Sequence, residues 1–256
     1  MYVRTWFLKE TNLLIKCDEE RGIDAAIEAS LRARGEIERF IATCPDFRWS
    51  LEPLKLKRSH QRIIDLMLRA GELADVGPFA AVAGAISQVA AEAALNAGAE
   101  NVAVENGGDI AIMGNQDFRI GVFAGDVKGS GKIGFHIRAG ELPIGICTSS
   151  GTVGHSISFG DADAVVAIAC EASVADAAAT SIANAVKGED VESSIEFGLN
   201  RAKHIPEIFG CLIVRGDKIG TWGKLPELIL PSPKSQELSA ISKRYKNYGL
   251  ELTPVL

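Results

Sequence analysis

The segment VAVENGGDI, residues Val102 to Ile110, decides how this chain is expected to fold. Two apolar runs flank the pair Gly107-Gly108, and glycines allow positive φ angles and a close approach of the main chain to a ligand. The pattern predicts two strands joined by a tight turn, and two interpretations of Asn106-Gly107-Gly108-Asp109 stay open. Asn-Gly is a strong signal for an ordinary hairpin. Alternatively, the free amides of the turn receive a phosphate group.

Outward from this turn, the hydrophobic pattern changes from helical spacing before Gly98 to short strands after it. Helices follow again near the C-terminus, and this order predicts an α+β layered fold with a mainly antiparallel sheet packed by helices. Predicted helices are 22–43, 58–74, 82–97, 173–187 and 191–202; predicted strands are 3–8, 12–17, 101–105, 110–113, 118–123, 133–137, 144–148, 164–169, 209–215 and 218–222; residues 45–56 are expected to be irregular, and 231–256 to form a tail with one helix.

Length and composition indicate a globular protein with a substantial core. The chain has 256 residues, 47% hydrophobic and 23% charged, and no linker-like stretch interrupts its first 230 residues. We therefore expect one domain over residues 1–256, with two interlocked lobes as an alternative. The apolar stretch Val76–Leu95 is mainly Ala and Gly with Gln88 and Glu92 inside it, which favours a buried helix over a membrane span.

Charge and cysteine content indicate the class of ligand and the cellular compartment that we expect. A net charge of −6 without a long basic run argues against nucleic acid and favours a small-molecule ligand. Five widely spaced cysteines without a CxxC pair predict buried thiols in a reducing cytoplasm. The charged N-terminus does not resemble a secretion signal.

A second polar segment follows a predicted buried strand. Thr148-Ser149-Ser150-Gly151 leads on to His155, and hydroxyls with free amides suit a phosphate or a ribityl chain. A polar loop that merely turns the chain is an equal alternative. Ser150 and His155 also suggest a nucleophile and its base, but the GxSxG elbow is absent.

The third segment, Ala175-Asp176-Ala177-Ala178-Ala179-Thr180, places a carboxylate and a hydroxyl four residues apart on one helix face. That spacing allows both to bind one hard cation such as magnesium. A capping box is the competing interpretation: Ser173 caps the helix and Asp176, three residues later, returns the bond to the backbone.

Together, in order and approximate spacing, the three segments resemble the ApbE family of FAD:protein FMN transferases over roughly residues 77–187. That family shows a Gly-Gly-Asp turn, a Thr-Ser-Gly segment and an Ala-Asp-x-x-x-Thr helix. The resemblance is closest to an uncharacterised cytoplasmic branch, and it implies binding of FAD or FMN with Mg²⁺. The implied activity is transfer of FMN to a Ser or Thr of an acceptor protein with release of AMP, or cleavage of FAD as a pyrophosphatase.

By this resemblance, the metal ligands are Asp176 and Thr180, and the candidate catalytic residue is His155. The flavin nucleotide site would be lined by Asn106, Gly107, Gly108, Asp109, Thr148, Ser149, Ser150 and Gly151.

The chain also departs from the family. The family's Gly-Ala-x-Ala-Lys-Gly segment is Ala80–Gly84 here, with Ala83 at the position of its Lys. A His-Ile-Ile-Asp-Pro-x-x-Gly stretch is missing, and His155 is the candidate substitute for its histidine. Two alternatives to an enzyme follow: a binding protein for a flavin or another phosphorylated metabolite, and a homo-oligomer that packs through Ala-rich helices.

Overall fold

The computed structural model describes residues 1–56, 61–122, 133–149, 159–229 and 250–251. Its helices are α1 Glu20–Thr43, α2 Asp46–Trp49, α3 Arg62–Ala74, α4 Val82–Asn96, α5 Ala172–Ala185 and α6 Val191–Ala202, with 3-10 turns at Pro78–Ala81 and Ala139–Glu141. Its strands are β1 Tyr2–Leu8, β2 Thr11–Cys17, β3 Val102–Asn106, β4 Asp109–Met113, β5 Phe118–Val122, β6 Ile133–Ile137, β7 Ile144–Ser149, β8 Ala164–Ala169, β9 Ile208–Arg215, β10 Lys218–Gly223, β11 Glu227–Ile229 and β12 Leu250–Glu251.

Eight of these strands form one sheet in the order β1-β2-β3-β4-β7-β8-β9-β10, and every neighbouring pair is antiparallel. The predicted α+β fold with a mainly antiparallel sheet packed by helices is confirmed. A second sheet in the order β11-β6-β5-β12 was not anticipated as a separate layer. The strand pattern alone does not reveal it, because β5 and β6 leave the main sheet between two of its neighbouring strands, β4 and β7.

The main sheet has a core on each face. One core lies between the sheet and the helices and includes Val104, Ala111 and Cys147. The other lies between the two sheets and includes Ile110 and Phe135. Because successive side chains of a strand point to opposite faces, neighbours such as Ile110 and Ala111 belong to different cores. The central strand β8 is buried along its whole length for this reason.

Helix α5 lies deep in the layer of helices. Every residue from Ala172 to Ala183 is buried, so this helix has no solvent face and differs from the amphipathic α1. Its small side chains permit close packing. Gly84 of α4 is part of this contact, since a Cβ there would lie 2.3 Å from the carbonyl oxygen of Ala172.

Helix α4 and the turn before it, Pro78–Asn96, are long and apolar enough to cross a membrane by length and composition. More than half of this stretch, 56%, is buried inside the protein. It contacts α1, α5 and the strands β3 and β4, as a core helix does.

Most predicted elements were right to within a few residues, with two corrections. The region 45–56 is not wholly irregular, since α2 forms there around the buried side chain of Phe47. Cys17, Cys147 and Cys211 are buried thiols as predicted, but Cys170 is exposed and Cys44 half-buried. The predicted tail 231–256 lies outside the described residues apart from β12.

Candidate functional site

The Gly-Gly-Asp turn is a hairpin turn, and it also lies against two helices. Asn106 pairs with Asp109 across the turn, and Gly107 and Gly108 have φ angles of 65° and 115°. The hairpin interpretation is therefore correct about the backbone. Strand alternation turns the side chains of Asn106 and Asp109 to the face of the sheet that the helices cover.

The first turn of α4 is where the turn and α5 meet. The amide of Gly84 donates a 2.9 Å hydrogen bond to Oδ2 of Asp176. The side-chain amide of Asn106 donates to the carbonyl of Ala83 at 3.4 Å, and the Ser87 hydroxyl donates to the carbonyl of Asp109 at 2.7 Å. The structure thus brings together two of the three predicted segments through a helix between them.

The capping-box interpretation of Asp176 is wrong. Helix α5 begins at Ala172 without a side-chain cap, and Ser173 instead donates through Oγ and its amide to Oε1 of Gln88, at 3.1 and 3.3 Å. Asp176 accepts from the start of α4, whose own N-cap residue is Ala81 and provides no side-chain cap. Its carboxylate therefore satisfies an orphan amide of another helix.

Asp109 and Asp176 form a buried acidic pair, only 4% and 7% exposed. Burial raises the pKa of Asp176 to about 7, although hydrogen bonds from the amides of Gly84 and Ala83 oppose the rise. The pKa of Asp109 is raised well above its ordinary value by burial, and further by the negative charge of Asp176. Ionising both carboxyl groups in this buried place is unfavourable, so the pair favours protonation of one of them or a bound cation.

The remaining predicted segment, Thr148-Ser149-Ser150-Gly151, contacts Asp109 through its main chain. The amide of Thr148 donates to Oδ1 of Asp109 at 3.3 Å. The hydroxyls Oγ1 of Thr148 and Oγ of Ser149 are buried and have no hydrogen-bond partner within the part of the chain that the structure describes. Unpaired buried hydroxyls are costly, and a ligand's oxygen atoms would pair them. Ser150, Gly151 and His155 lie outside the described residues.

Cys147 belongs to this site, although the sequence did not point to it. It pairs with Asp109 across β4 and β7, and its thiol donates to the carbonyl of Ala172 at 3.2 Å. Burial, and then the charges of Asp109 and Asp176, raise the pKa of this thiol well above its ordinary value. Cys147 is therefore a neutral thiol. Only the pairing of β4 with β7, two strands distant in sequence, reveals its place.

Glu105 lies in a different environment from the rest of its turn. It shares a strand face with Ala103 of the core between the two sheets, opposite to Asn106 and Asp109. Burial raises the pKa of Glu105 to about 8, with a hydrogen bond from the amide of Gly108 opposing the rise. It does not join the acidic pair.

The donor set fits a magnesium ion in chemical terms. Mg²⁺ prefers oxygen ligands and commonly takes only one or two carboxylates, leaving other positions to water and substrate phosphates. The buried Asp176 carboxylate, which interacts electrostatically with Asp109, and the buried residue Thr180, one helical turn later, carry such oxygens. No group of three or more His, Cys, Asp or Glu side chains in the described ranges is arranged so that it could hold a metal ion by itself.

Comparison with known proteins identifies the family of the chain. The family model described as AbpE bacteria, AbpE_bact, matches residues 5–197. The chain belongs to this family. It is also 43% identical over 231 residues to a UPF0280 protein of Methanocaldococcus jannaschii, covering 88% of this chain and 93% of that one. A UPF0280 protein of Methanothermobacter thermautotrophicus is 44% identical over 206 residues, or 80% of each chain.

Solved structures show the same fold at low identity. The flavin transferase ApbE from Vibrio cholerae superposes with a TM-score of 0.55 at 15% identity, over 87% of this chain and 96% of that one. The ApbE protein from Thermotoga maritima gives a TM-score of 0.51 at 16% identity, over 86% and 96% of the two chains. The predicted resemblance to the ApbE family is confirmed, and this AbpE_bact member has the fold of flavin transferases.

Proposed function

We propose that this protein binds a flavin nucleotide with Mg²⁺ and cleaves the pyrophosphate bond of FAD. The FMN half is transferred to a Ser or Thr hydroxyl of an acceptor protein, or to water. The observation that supports the proposal is the meeting of Asp109 and Asp176 at the first turn of α4. That place concentrates buried carboxyl groups, which attract a cation, and the amides of Ala83 and Gly84 already hold the Asp176 carboxylate there.

Asp176 and Thr180 would hold the metal ion, which when bound would neutralise charge on the phosphates of FAD. Asp109 adds a second carboxyl group to the same place. Gly107 leaves the main chain of the turn accessible, because it is exposed and a Cβ there would meet nothing within 4 Å. Ser149, on the same face of β7 as Cys147, provides a buried hydroxyl without a partner in the described chain, available to the ligand's phosphate or ribityl oxygens, whereas the Thr148 side chain lies on the other face of the strand.

In the proposed reaction the oxygen of a hydroxyl group forms a bond to the phosphorus of the FMN half. The bond from that phosphorus to the bridging oxygen breaks, and AMP leaves with the electron pair. The hydroxyl proton passes to a base, for which His155 is the candidate. With water as acceptor the products are FMN and AMP.

A non-catalytic binding protein for a flavin or another phosphorylated metabolite is the second candidate, and one residue favours it. Ala83 occupies the position of the family's Lys, so the first turn of α4 offers no side-chain cation there. Fewer positive groups near the phosphates would weaken stabilisation of a transition state more than binding of the ground state.

The decisive experiment incubates purified protein with FAD, with and without MgCl₂, and quantifies AMP and FMN by chromatography. We expect magnesium-dependent AMP release that Asp176→Asn abolishes and that Asp217→Asn retains, since Asp217 is an exposed residue at the β9–β10 turn. Flavin binding by calorimetry without AMP release would reject the enzyme and favour the binding protein. Absence of both would reject the proposed function altogether.

A further inference from the structure

Strand β1 forms one edge of the eight-stranded sheet and lacks the usual protection of such an edge. Among the described residues its strand partner is β2 alone, and the β1–β2 register runs without interruption from Tyr2 to Leu8. Natural edge strands are commonly blunted by Lys, Pro or a bulge. The sequence YVRTWFL contains neither Lys nor Pro, its pairing shows no bulge, and its one charged side chain, Arg4, is paired with Glu20 and Asp24 of α1. The other edge, β10, carries Lys218 and two glycines.

The main-chain groups that face outward can be assigned from the register. Leu8 pairs with Thr11 next to the two-residue turn Lys9-Glu10, and residues flanking such a turn exchange hydrogen bonds. Because bonded and non-bonded pairs alternate along an antiparallel ladder, Val3, Thr5 and Phe7 direct their N–H and C=O groups away from β2.

Large apolar side chains are exposed on both faces of this edge. Val3 and Phe7, on the face away from the helices, are 59% and 79% exposed. Tyr2 and Leu8, on the helix face, are 52% and 38% exposed. A group of exposed apolar residues of this kind marks a surface that contacts another protein.

Helix α1 extends the apolar surface on the helix side. Asp24 pairs with Arg4, and Glu38 pairs with Lys9, so the helix face through these residues is turned to the β1–β2 hairpin. Leu31 lies seven residues after Asp24 and seven before Glu38. Seven residues are nearly two full helical turns, so Leu31 lies on the same face of α1 as both. It is an exposed large hydrophobic residue.

The strand is complementary to itself in the antiparallel direction. Centred on Thr5, the register places Val3 opposite Phe7, Arg4 opposite Trp6 and Tyr2 opposite Leu8. Apolar residues thus meet apolar residues, and the guanidinium meets an aromatic ring, a favourable pair. Like charges are never opposite each other, and Arg4 is already balanced by Glu20 and Asp24. The outward groups of Val3, Thr5 and Phe7 are those that this register requires.

We propose that β1 pairs with β1 of a second copy of this chain, antiparallel and centred on Thr5. The pairing joins the two eight-stranded sheets across a two-fold axis with about six main-chain hydrogen bonds. This dimer is independent of the proposed function, since the acidic pair lies on α5 and β4, away from the β1 edge.

Sedimentation velocity of the full chain tests the proposal. The wild type is expected to sediment at twice the monomer mass of 27.2 kDa at micromolar concentration. Thr5→Pro removes the outward N–H without removing a bond to β2, so it should give a folded monomer, while Thr5→Val keeps the N–H and should remain a dimer. Phe7→Glu, which leaves the backbone unchanged, should also give a monomer. Circular dichroism checks the folding of each variant.

Cysteine cross-linking tests the register, in a background with Cys44→Ser and Cys170→Ser. Across a hydrogen-bonded pair the Cα atoms lie about 5.5 Å apart, so Thr5→Cys should form an intermolecular disulfide on mild oxidation. The matched variant Val3→Cys should not, since its two copies would lie roughly 14 Å apart in this register.

Three results would overturn the proposal. The first is a monomeric wild type. This result would overturn the proposal whether the β1 edge is open to solvent or is covered by another segment of the same chain. The second is a dimer that survives both Thr5→Pro and Phe7→Glu. The third is cross-linking of Val3→Cys in preference to Thr5→Cys.

Discussion

Gly84 donates its amide proton to Oδ2 of Asp176 over 2.9 Å, and this contact ties the first turn of α4 to the middle of α5. It depends on the absence of a side chain at Gly84, because a Cβ there would lie 2.8 Å from the Cβ of Asp176. The same carboxylate therefore caps one helix, interacts electrostatically with Asp109 and is the proposed metal ligand. A residue with these three roles can be tested by changes that affect them separately.

Gly84→Ala should force α4 and α5 apart. The added methyl group would overlap the carbonyl of Ala172, so we expect a loss of unfolding free energy of about 2 kcal/mol or more, measured by urea denaturation. Gly140→Ala is the matched control, because a Cβ at Gly140 meets nothing within 4 Å. Equal stabilities of the two variants would contradict the close packing of the helices.

Asp176→Asn and Asp176→Ala should separate structure from chemistry. Asn retains an oxygen that accepts from Gly84 and removes the repulsion with Asp109, so stability should be maintained while magnesium-dependent AMP release falls about 100-fold or more. Ala leaves the amide of Gly84 unpaired and should cost roughly 1 to 2 kcal/mol. Full activity in the Asn variant would remove Asp176 from the metal site.

Thr180 should be needed for its hydroxyl and not for its shape. Thr180→Val keeps the volume of the buried side chain but removes the oxygen, so the magnesium concentration for half-maximal activity should rise about 10-fold or more. Thr180→Ser keeps the oxygen and should stay within a few-fold of the wild type. If both variants respond alike to magnesium, the hydroxyl is not a ligand.

Glu105 should make the protein less stable as pH rises. Its ordinary pKa is 4.5 and its folded pKa about 8. Between these values the folded state holds a proton that the unfolded state has released, so stability is fully present below pH 4.5 and is lost as pH rises to 8. The loss should amount to a few kcal/mol.

Glu105→Gln removes this titration and keeps the side chain's shape. We measure the free energy of unfolding with denaturant at intervals from pH 5 to pH 8. Over this range the Glu105→Gln variant should lose less stability than the wild type, and at pH 8 it should be the more stable of the two. The exposed change Asp217→Asn should leave the wild-type pH dependence intact. Parallel curves for the wild type and Glu105→Gln would show that the carboxyl is not buried as described.

Local patterns in the sequence were sufficient to predict most of the fold. Short apolar runs on either side of Lys9-Glu10-Thr11 predicted β1 and β2, runs flanking Gly216-Asp217 predicted the pair β9–β10, and helical spacing predicted α1 and α3. These elements depend on near neighbours in the chain, which is why the sequence alone reveals them. The short helix α2 was missed because its four residues form around a single buried ring, Phe47, and not around a periodic pattern.

The sequence also determined the chemical identity of the candidate site: a glycine turn ending in Asp109, hydroxyls at Thr148 and Ser149, and Asp176 with Thr180 on one helix face. Only the tertiary structure decided their relations. It paired β4 with β7, placed Cys147 beside Asp109, and turned Glu105 to the opposite core. It also gave Asp176 the start of α4, and not of its own helix, as a hydrogen-bond partner. These contacts join residues distant in the chain, and they arise because packing helices on a sheet brings together surfaces that no local pattern encodes.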